Sequence, residues 1–423
     1  MVTKIQKMKN IPNIIFSSKD DPRISSGYGV IAKYLAPLLA DRYGRDKFYL
    51  YCPVYQRDHT GVYKGIRILP GVEFGYDDQT LLAHAQRLHN PIILQIGDIW
   101  PLNFLPDAAA RNDVMWIQYL MCDFLGFPEI LKQRLKYIYN IVPSSKWGEK
   151  LLRENNFTNV QRAIWCGLDI DLWKPLDRKD LPETMRSLGF TYEPESLNIM
   201  VVAANQERKG IRQTLEAIGI FKTAHPDITT RLYMHTMAKG ERDLLLEATE
   251  LGIQDLMVIP DFYKILTGGV EESELVRAFN CADVVMNCCL DGFGFAHIHS
   301  QAVGVPCIYY EHGAGPELVV SGIKIPAFAS KTYPNQNMQS EPNPFDIANA
   351  LHEVMQKKKQ KGILRSEKAQ QFVRENLDWK THIAPQWYEV LDKAIADYDR
   401  YCWTIPEISQ KLVRLGKKEV VIK

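Results

Sequence analysis

The sequence predicts an α/β protein built from two doubly wound domains whose parallel sheets face a common cleft. The chain has 423 residues, more than the roughly 250–300 at which single hydrophobic cores stop growing. Short apolar runs alternate with helical patterns, which is typical of βαβ units and parallel sheets. This alternation stops in the charged, proline-containing segment 175–194 and then begins again, so we expect two domains joined there.

We assign residues 1–180 to an N-terminal Rossmann-like domain and residues 181–378 to a second one. Residues 379–423 are expected to form a C-terminal helix and tail that packs back toward the N-terminal domain. Ligands of open parallel sheets bind beyond the carboxyl ends of the strands. Two such sheets that face each other enclose a cleft that can hold two substrates.

The N-terminal half carries continuous apolar runs, as expected for strands buried on both faces. Between these runs, apolar residues at helical spacing predict helices. The predicted strands are 13–17, 47–53, 66–69, 91–96, 114–120 and 139–143, and the predicted helices are 30–43, 79–88 and 147–155.

The same alternation returns in the C-terminal half. Apolar runs predict strands, and residues 379–401 have apolar positions at helical spacing that predict a last helix. The predicted strands are 197–203, 230–235, 284–287 and 306–310, with a helix over 211–224.

The charge balance argues against a protein built mainly to bind nucleic acid through its phosphates. The formal net charge is +1, whereas such proteins are usually strongly basic. A basic run lies at 357–361, and Lys411, Arg414, Lys417, Lys418 and Lys423 make the end of the chain basic. A solvated helix face explains the basic run, and a frayed terminus explains the basic end of the chain. The alternative is that these segments contact an anionic membrane or a polyanionic acceptor.

Neither a signal peptide nor a membrane span is predicted. Residues 1–10 are polar and basic, and no segment has the ~18 apolar residues that a membrane span needs. The 8 cysteines are scattered and show no metal-ligand spacing. We therefore expect reduced thiols, a cytoplasmic location, and neither a metal nor another cofactor.

A glycine loop follows the first predicted strand. Segment 25–29 contains Gly27 and Gly29 directly before a helical pattern. Glycines at a strand-to-helix turn let the backbone approach a ligand and direct free N–H groups toward it. A plain tight turn explains the same residues equally well.

Two cations precede the helix at 211–224. Arg208 and Lys209 stand at the start of that helix, where the helix dipole disfavours positive charge. An anion bound at the same place would remove this conflict. A solvated basic loop is the alternative.

A longer glycine-containing segment, 291–306, lies between two predicted strands. Gly292 and Gly294 open a helix whose N-terminus would face the cleft and suit a diphosphate. Phe293 and Phe295 flank Gly294. His297 and His299 are two positions apart and so point to different helix faces, which makes them poor joint metal ligands.

Three further places carry polar groups after predicted strands. Asp98 and Asp123 follow two strands of the first half, where each can act as an acceptor-side base or hydroxyl ligand or as a helix N-cap. Segment 312–317 is a glycine-containing turn that ends in Glu317, which helix capping alone also explains.

Taken in order, these segments resemble the glycosyltransferase family four group of GT-B enzymes over nearly the whole chain. They match the family's glycine loop, its serine-then-helix element, its linker signature, its lysine–glycine pair, its acidic–glycine–phenylalanine–glycine helix and its glycine-rich turn ending in glutamate. The matching segments are 26–29, 142–151, 166–175, 209–210, 291–306 and 313–317.

The resemblance implies a retaining, metal-independent enzyme that moves a hexose-type sugar from a nucleotide-diphosphate donor to an acceptor hydroxyl. Together with the positions of these residues after predicted strands, it leads us to expect catalytic roles for Asp123, Arg208, Lys209 and Asp291, and an acceptor-side role for Asp98. The donor contacts that it implies are Gly27, Gly29, Gly292, Phe293, Gly294, Phe295, His299, Gly313, Gly315 and Glu317.

The sequence departs from the family pattern at three positions. Asp291 and His299 stand where the family usually has two glutamates, and the family's arginine falls on Ala204, with Arg208 the nearest cation. The donor nucleotide, and an acceptor that could be a glycan, lipid, protein, metabolite or modified nucleic acid, stay open. A GT-B epimerase, a phosphorylase and a non-catalytic nucleotide-sugar binder are the rival interpretations.

Overall fold

The computed structural model of the chain describes residues 11–56, 61–72, 77–189, 193, 195–260, 270–332 and 338–402. The basic residues predicted at the end of the chain and the polar segment 1–10 lie outside the described residues. So do four positions of the predicted linker, 190–192 and 194.

Seven strands form one sheet in the described N-terminal half. They are β1 (Ile14–Ser18), β2 (Phe48–Gln56), β3 (Val62–Tyr63), β4 (Ile66–Gly71), β5 (Ile92–Ile96), β6 (Met115–Leu120) and β7 (Asn140–Pro143). Their spatial order is β3-β4-β2-β1-β5-β6-β7, and every neighbouring pair is parallel except β3 with β4.

Helices separate these strands along the chain. They are α1 (Gly27–Tyr43), α2 (Asp78–Arg87), α3 (Leu105–Ala110), α4 (Glu129–Arg134) and α5 (Lys146–Glu154). Helix α1 begins three residues before the predicted start because the Ser26 side chain accepts a hydrogen bond from the Gly29 N–H and so caps the helix.

Six parallel strands form the second sheet. They are β8 (Leu197–Val202), β9 (Thr230–His235), β10 (Met257–Val258), β11 (Val284–Asn287), β12 (Cys307–Tyr310) and β13 (Gly322–Ile325), in the order β10-β9-β8-β11-β12-β13. A separate antiparallel hairpin consists of β14 (Ala327–Thr332) and β15 (Met338–Pro342).

The second half also contains the remaining described helices. They are α6 (Leu181–Ser187), α7 (Ile211–Ala224), α8 (Leu244–Glu250), α9 (Glu272–Cys281), α10 (Phe295–Val303), α11 (Gly315–Leu318), α12 (Pro344–Lys361), α13 (Glu367–Asn376) and α14 (Ala384–Cys402). Short 3₁₀ turns occupy Arg178–Asp180, Glu207–Lys209 and Gln254–Leu256, and a π-helical turn spans Trp379–Ile383.

The predicted strands of both halves are present, with ends shifted by a few residues. All residues of β5 and β6 are buried, as continuous apolar runs require when helices cover both faces of a parallel sheet. The sequence interpretation missed β3, β10, β13 and the β14–β15 hairpin. The residues of β14 are mostly exposed, so they carry no apolar pattern that would predict a strand.

Both sheets reverse their strand order next to a central strand. In the first sheet the chain moves outward from β1 through β2 to β4 and then returns to β5 on the other side. The second sheet does the same at β8 and β11. Such reversals open a crevice beyond the carboxyl ends of the strands, where ligands of doubly wound sheets bind.

Helix α14 packs against the N-terminal sheet and its first helix. Trp387 is fully buried, and its ring meets that of Tyr119 on β6 edge to face at 4.9 Å. The hydroxyls of Tyr43 and Tyr139 donate to Asp392 at 2.8 Å and Asp397 at 2.7 Å. The boundaries that we assigned between domains stay a prediction.

The described part of the chain contains neither a helix fit to span a membrane nor a cluster of possible metal ligands. None of the helices within it combines the length and apolar character that crossing a membrane requires. In the same part of the chain, no group of three or more His, Cys, Asp or Glu side chains is placed to hold a metal ion. The cysteines whose side chains are described are free thiols, most of them buried.

Replacing Trp387 tests the docking of α14. Trp387→Ala is expected to lower the free energy of unfolding by about 3–5 kcal/mol, because the change leaves a cavity against Tyr119. Urea denaturation followed by circular dichroism measures the change. Glu389 is exposed on the same helix, and Glu389→Ala should stay within about 0.5 kcal/mol of the wild type. Equal stability of the two variants would contradict the packing described.

Candidate functional site

A cavity of about 470 Å³ lies between the two sheets, at the carboxyl ends of their central strands. Loops after β1, β5 and β6 line it from the N-terminal side, and loops after β8 and β11 line it from the other side. Ten predicted site residues meet there: Gly27, Asp98, Asp123, Arg208, Lys209, Asp291, Gly292, Phe293, Gly294 and Phe295.

An ion pair crosses this cavity from one half of the chain to the other. The Arg208 Nη1 atom lies 2.6 Å from Asp123 Oδ2, and the two side chains are 32% and 19% exposed. Burial raises the pKa of Asp123 despite the opposing effect of Arg208. Burial lowers the pKa of Arg208, but the carboxylates of Asp123 and Asp291 outweigh it and raise the pKa above its usual value.

A second ion pair joins Lys209 to Asp291 within the C-terminal half. Asn287 also donates to Asp291, from Nδ2 to Oδ2 at 3.1 Å. Burial works against the charge of Asp291, but Lys209 and Arg208 outweigh it and hold the pKa of this carboxyl well below its usual range. Asp291 is therefore an ionised group that neighbouring cations fix in place.

The backbone after β8 explains why both cations point into the cavity. The short 3₁₀ turn Glu207–Lys209 ends at Gly210, which has φ +63°. A Cβ at Gly210 would stand 3.1 Å from the carbonyl oxygen of Cys288. Glycine therefore allows the turn to pass close to the end of β11, and this approach brings Lys209 to Asp291.

The Gly292–Gly294 turn lies close to the opposite half of the chain. A Cβ at Gly292 would lie 2.8 Å from the backbone carbon of Met121, and Ser144 Oγ donates to the Gly292 carbonyl at 3.0 Å. Gly294 has φ +80° and caps α10. The first N–H groups of α10 therefore open toward the cavity, where an anion is favoured.

The N-terminal side of the cavity is rich in carboxylates with defined partners. The Tyr28 hydroxyl donates to Asp98 Oδ1 at 2.8 Å. The Ser26 hydroxyl donates to Asp20 Oδ2 at 2.6 Å. Together with Asp123, these groups form a wall of hydrogen-bond acceptors opposite the two cations.

Five predicted donor residues do not line this cavity: Gly29, His299, Gly313, Gly315 and Glu317. Gly29 lies inside α1, where a Cβ would stand 2.2 Å from the Ile24 carbonyl oxygen. Gly313 has φ +85° and forms an isolated bridge with Asp291, and Gly315 begins α11. Gly313 therefore contacts the Asp291 backbone from outside the cavity.

Glu317 binds the N-terminal half instead. Its carboxylate accepts from the backbone N–H groups of Lys146 at 3.0 Å and Trp147 at 3.2 Å, and from Trp165 Nε1 at 2.9 Å. The glutamate thereby caps the start of α5, and its contact with the donor stays a prediction.

His299 packs into an aromatic cluster. Its ring stacks on Trp173 with centroids 3.7 Å apart and an angle of 2° between the planes. Burial lowers the pKa of His299 to about 3, so the imidazole is neutral at physiological pH. Its Nδ1 atom is buried without a hydrogen-bond partner among the described residues. His297 is likewise buried.

Sequence reasoning missed several residues of the site. Asp20, Trp100 and Asn287 line the cavity, and each follows or ends a strand that borders a sheet reversal. Their position after β1, β5 and β11 is the signal that could have identified them. Glu272, at the start of α9, was also missed. Its carboxylate accepts hydrogen bonds from the side chains of Lys33, Tyr34 and Trp173.

The pKa of Asp291 gives a testable pH dependence. Asp291→Asn is expected to lower the free energy of unfolding at neutral pH by about 1–3 kcal/mol, because Lys209 loses its acceptor. A carboxyl with a depressed folded-state pKa stabilises the fold above its unfolded value of about 3.9 and loses this effect as the pH falls. The difference from the wild type should therefore shrink below about pH 4.

Urea denaturation at several pH values measures that difference. The matched control is Asp171→Asn, because Asp171 is exposed and should follow the wild type throughout. A wild-type advantage that stayed constant or increased in acid would contradict the ion pair with Lys209.

Comparisons with known proteins agree with this architecture. No protein-family model and no curated protein sequence matches the chain. Among solved structures it is similar to the sucrose-phosphate synthase of Thermosynechococcus elongatus, with a TM-score of 0.69, 15% identity, and coverage of 92% of this chain and 100% of that one.

Two further structures have the same overall likeness. HepE of Anabaena in complex with UDP gives a TM-score of 0.65 at 16% identity over 90% of this chain and 100% of that one. WaaG, a glycosyltransferase involved in lipopolysaccharide biosynthesis, gives 0.62 at 12% identity over 91% and 99%. The chain therefore has the GT-B fold, as the sequence predicted.

Proposed function

We propose that this chain is a glycosyltransferase that moves a hexose-type sugar from a nucleotide-diphosphate donor to an acceptor hydroxyl with retention of anomeric configuration. One observation carries the proposal. Arg208, Lys209 and the N-terminus of α10 converge on one side of a cavity that lies at the strand-order reversals of both sheets. That is a binding site for a diphosphate within a GT-B fold.

The chemistry of the donor requires such a site. When the bond between the anomeric carbon and the diphosphate oxygen breaks, its electron pair stays on that oxygen. The side chains of Arg208 and Lys209 are 32% and 12% exposed, so they interact with a bound anion in a partly water-excluded site. Cations held in place before reaction stabilise the charge that develops on the leaving group.

The acceptor oxygen attacks from the face that the diphosphate leaves, which preserves the configuration. Its proton passes to the departing diphosphate oxygen, so the atoms balance without an enzyme nucleophile. Asp123 lies across the cavity from the α10 N-terminus and orients the acceptor or the transferred sugar. Burial raises the pKa of Asp123. The raised pKa also suits its carboxyl group to form hydrogen bonds with an acceptor hydroxyl.

The two cations supply the positive charge that a metal ion provides in other folds. The nucleotide part of the proposal draws support from HepE, whose structure contains UDP. A cytoplasmic location is also part of the proposal, since free thiols such as Cys288 and Cys289 persist under reducing conditions.

The close contact between the halves excludes water from the reaction. The Gly292 turn lies against the Met121 backbone, and a Cβ added at Gly27 would lie 3.7 Å from the Phe295 ring. Such closure limits hydrolysis of the donor.

Replacing Lys209 tests the phosphate site. Lys209→Ala is expected to reduce donor-dependent release of nucleoside diphosphate by about 10²–10³-fold, the usual effect of removing one preorganised donor. Circular dichroism should show an intact fold. Lys239 is exposed in the same half, so Lys239→Ala should keep wild-type turnover. Normal turnover of Lys209→Ala would remove the proposed site.

A screen of UDP, GDP, ADP and their sugars tests donor binding. The matching nucleotide should raise the melting temperature, because a ligand at 100 times its Kd adds about 2.7 kcal/mol of stability. Incubation with the donor alone and with inorganic phosphate then distinguishes transfer from epimerisation and phosphorolysis. Binding without nucleotide release for any acceptor would favour a non-catalytic binder, and a lack of stabilisation by every nucleotide would contradict the proposal.

A further inference from the structure

We infer that the acceptor is an uncharged, polyhydroxylated sugar, and that the N-terminal wall of the cavity excludes acceptors with a phosphate or carboxylate near the reacting hydroxyl. The inference rests on the proposed function and concerns the second substrate of the same cavity. Three properties of the wall support it: its charge, the geometry of its carboxylates and the position of Trp100.

Charge is unevenly distributed around the cavity. The C-terminal side contributes Arg208 and Lys209 against the single carboxylate of Asp291. The N-terminal side contributes the carboxylates of Asp20, Asp98 and Asp123, of which Asp123 pairs with Arg208 across the cavity. Of the described residues that line this side, Lys19 alone is cationic. The C-terminal side of the cavity therefore favours an anion, and the opposite N-terminal side disfavours one.

A phosphorylated acceptor would add about two negative charges beside three carboxylates. Like charges within ~4–6 Å disfavour each other's ionised forms, and such repulsion is a common basis of discrimination between ligands. Among the described residues of this wall, Lys19 and the start of α1 are the features that favour anions. Ser26 already accepts from the Gly29 N–H there and donates to Asp20, so the helix end is partly satisfied.

The same carboxylates suit sugar hydroxyls. A hydroxyl donates to a carboxylate oxygen in a short, charge-assisted hydrogen bond. Tyr28 fixes the orientation of Asp98 at 2.8 Å, and Ser26 fixes that of Asp20 at 2.6 Å. The wall therefore presents oriented acceptors to a ligand that carries many hydroxyl donors.

Trp100 gives the wall an aromatic surface. It lines the cavity and is partly exposed, and its ring meets that of Phe124 edge to face at 5.6 Å. An indole face packs well against the apolar C–H face of a pyranose, and pockets that combine aromatic surface with a few fixed polar groups are typical ligand sites.

Hydrogen bonds to residues outside the cavity hold the loop that carries Asp98 and Trp100. Arg134 donates to the carbonyl oxygens of Ile99, at 3.0 Å, and Trp100. The Asp78 carboxylate accepts from three successive backbone N–H groups at the start of α3, those of Asn103, Phe104 and Leu105. The sugar-binding surface is thus formed before the ligand arrives, which reduces the ordering needed on binding.

The test is a glycan array probed with labelled protein in the presence of the nucleoside diphosphate that stabilises it. The array pairs neutral glycans with the same glycans carrying a phosphate or a uronic acid. We expect binding to neutral members, with the charged counterpart weaker by about tenfold or more, as one repulsive contact of ~1.4 kcal/mol implies. Binding to charged members only, or to none, would overturn the inference.

Variants then locate the effect. Asp98→Asn and Trp100→Ala should each weaken binding of the neutral glycan by about tenfold, and Asp98→Asn should also narrow the gap between neutral and phosphorylated members. Both should bind the nucleoside diphosphate like the wild type, since they change the opposite wall. Asp107 is exposed in α3, and Asp107→Asn serves as the matched control.

The two proposals fail in distinguishable ways. If no nucleotide stabilises the protein, the proposed function fails. If a nucleotide stabilises it but Asp98→Asn and Trp100→Ala bind neutral glycans as the wild type does, the acceptor inference fails alone.

Discussion

Four partly buried charges at the domain junction determine much of the site. Arg208 reaches across to Asp123, and Lys209 pairs with Asp291. Partly buried charges are tolerated only with partners. One of these pairs joins the two halves of the chain, and the other lies within the C-terminal half. A diphosphate that binds these cations competes with both carboxylates. Donor binding would therefore release Asp123 to act on the acceptor side of the cavity.

Contacts outside the cavity hold the two halves of the chain in this arrangement. Gln339 on β15 donates to the Asp123 carbonyl oxygen at 2.7 Å, and the Leu125 N–H donates to the Met338 carbonyl oxygen at 2.8 Å. The hairpin thus fixes the backbone directly after Asp123 from the opposite half. Together with Glu317 at the start of α5, these polar contacts form the kind of interface that allows relative domain motion.

The sequence was informative where burial forces a pattern and where glycine is required. The apolar runs of β5 and β6 predicted the central sheet because helices cover both of its faces. Gly292 and Gly294 predicted the turn that opens α10. The sequence could not predict contacts between side chains in different halves, because no periodicity relates Glu317 to Trp165. Strand β14 carried no apolar signal because it is mostly exposed, and β15 carried none because its buried residues include the polar Gln339 and Ser340.

The structure also explains the unusual histidine at position 299. Trp173 donates from Nε1 to Glu272 at 2.8 Å, while its ring stacks on His299. A carboxylate at position 299 would place a second buried negative charge near Glu272, which is unfavourable. A neutral aromatic ring instead completes the stack. His299 therefore completes a packed aromatic stack outside the cavity that holds both cations, whereas Asp291 lines that cavity and pairs with Lys209.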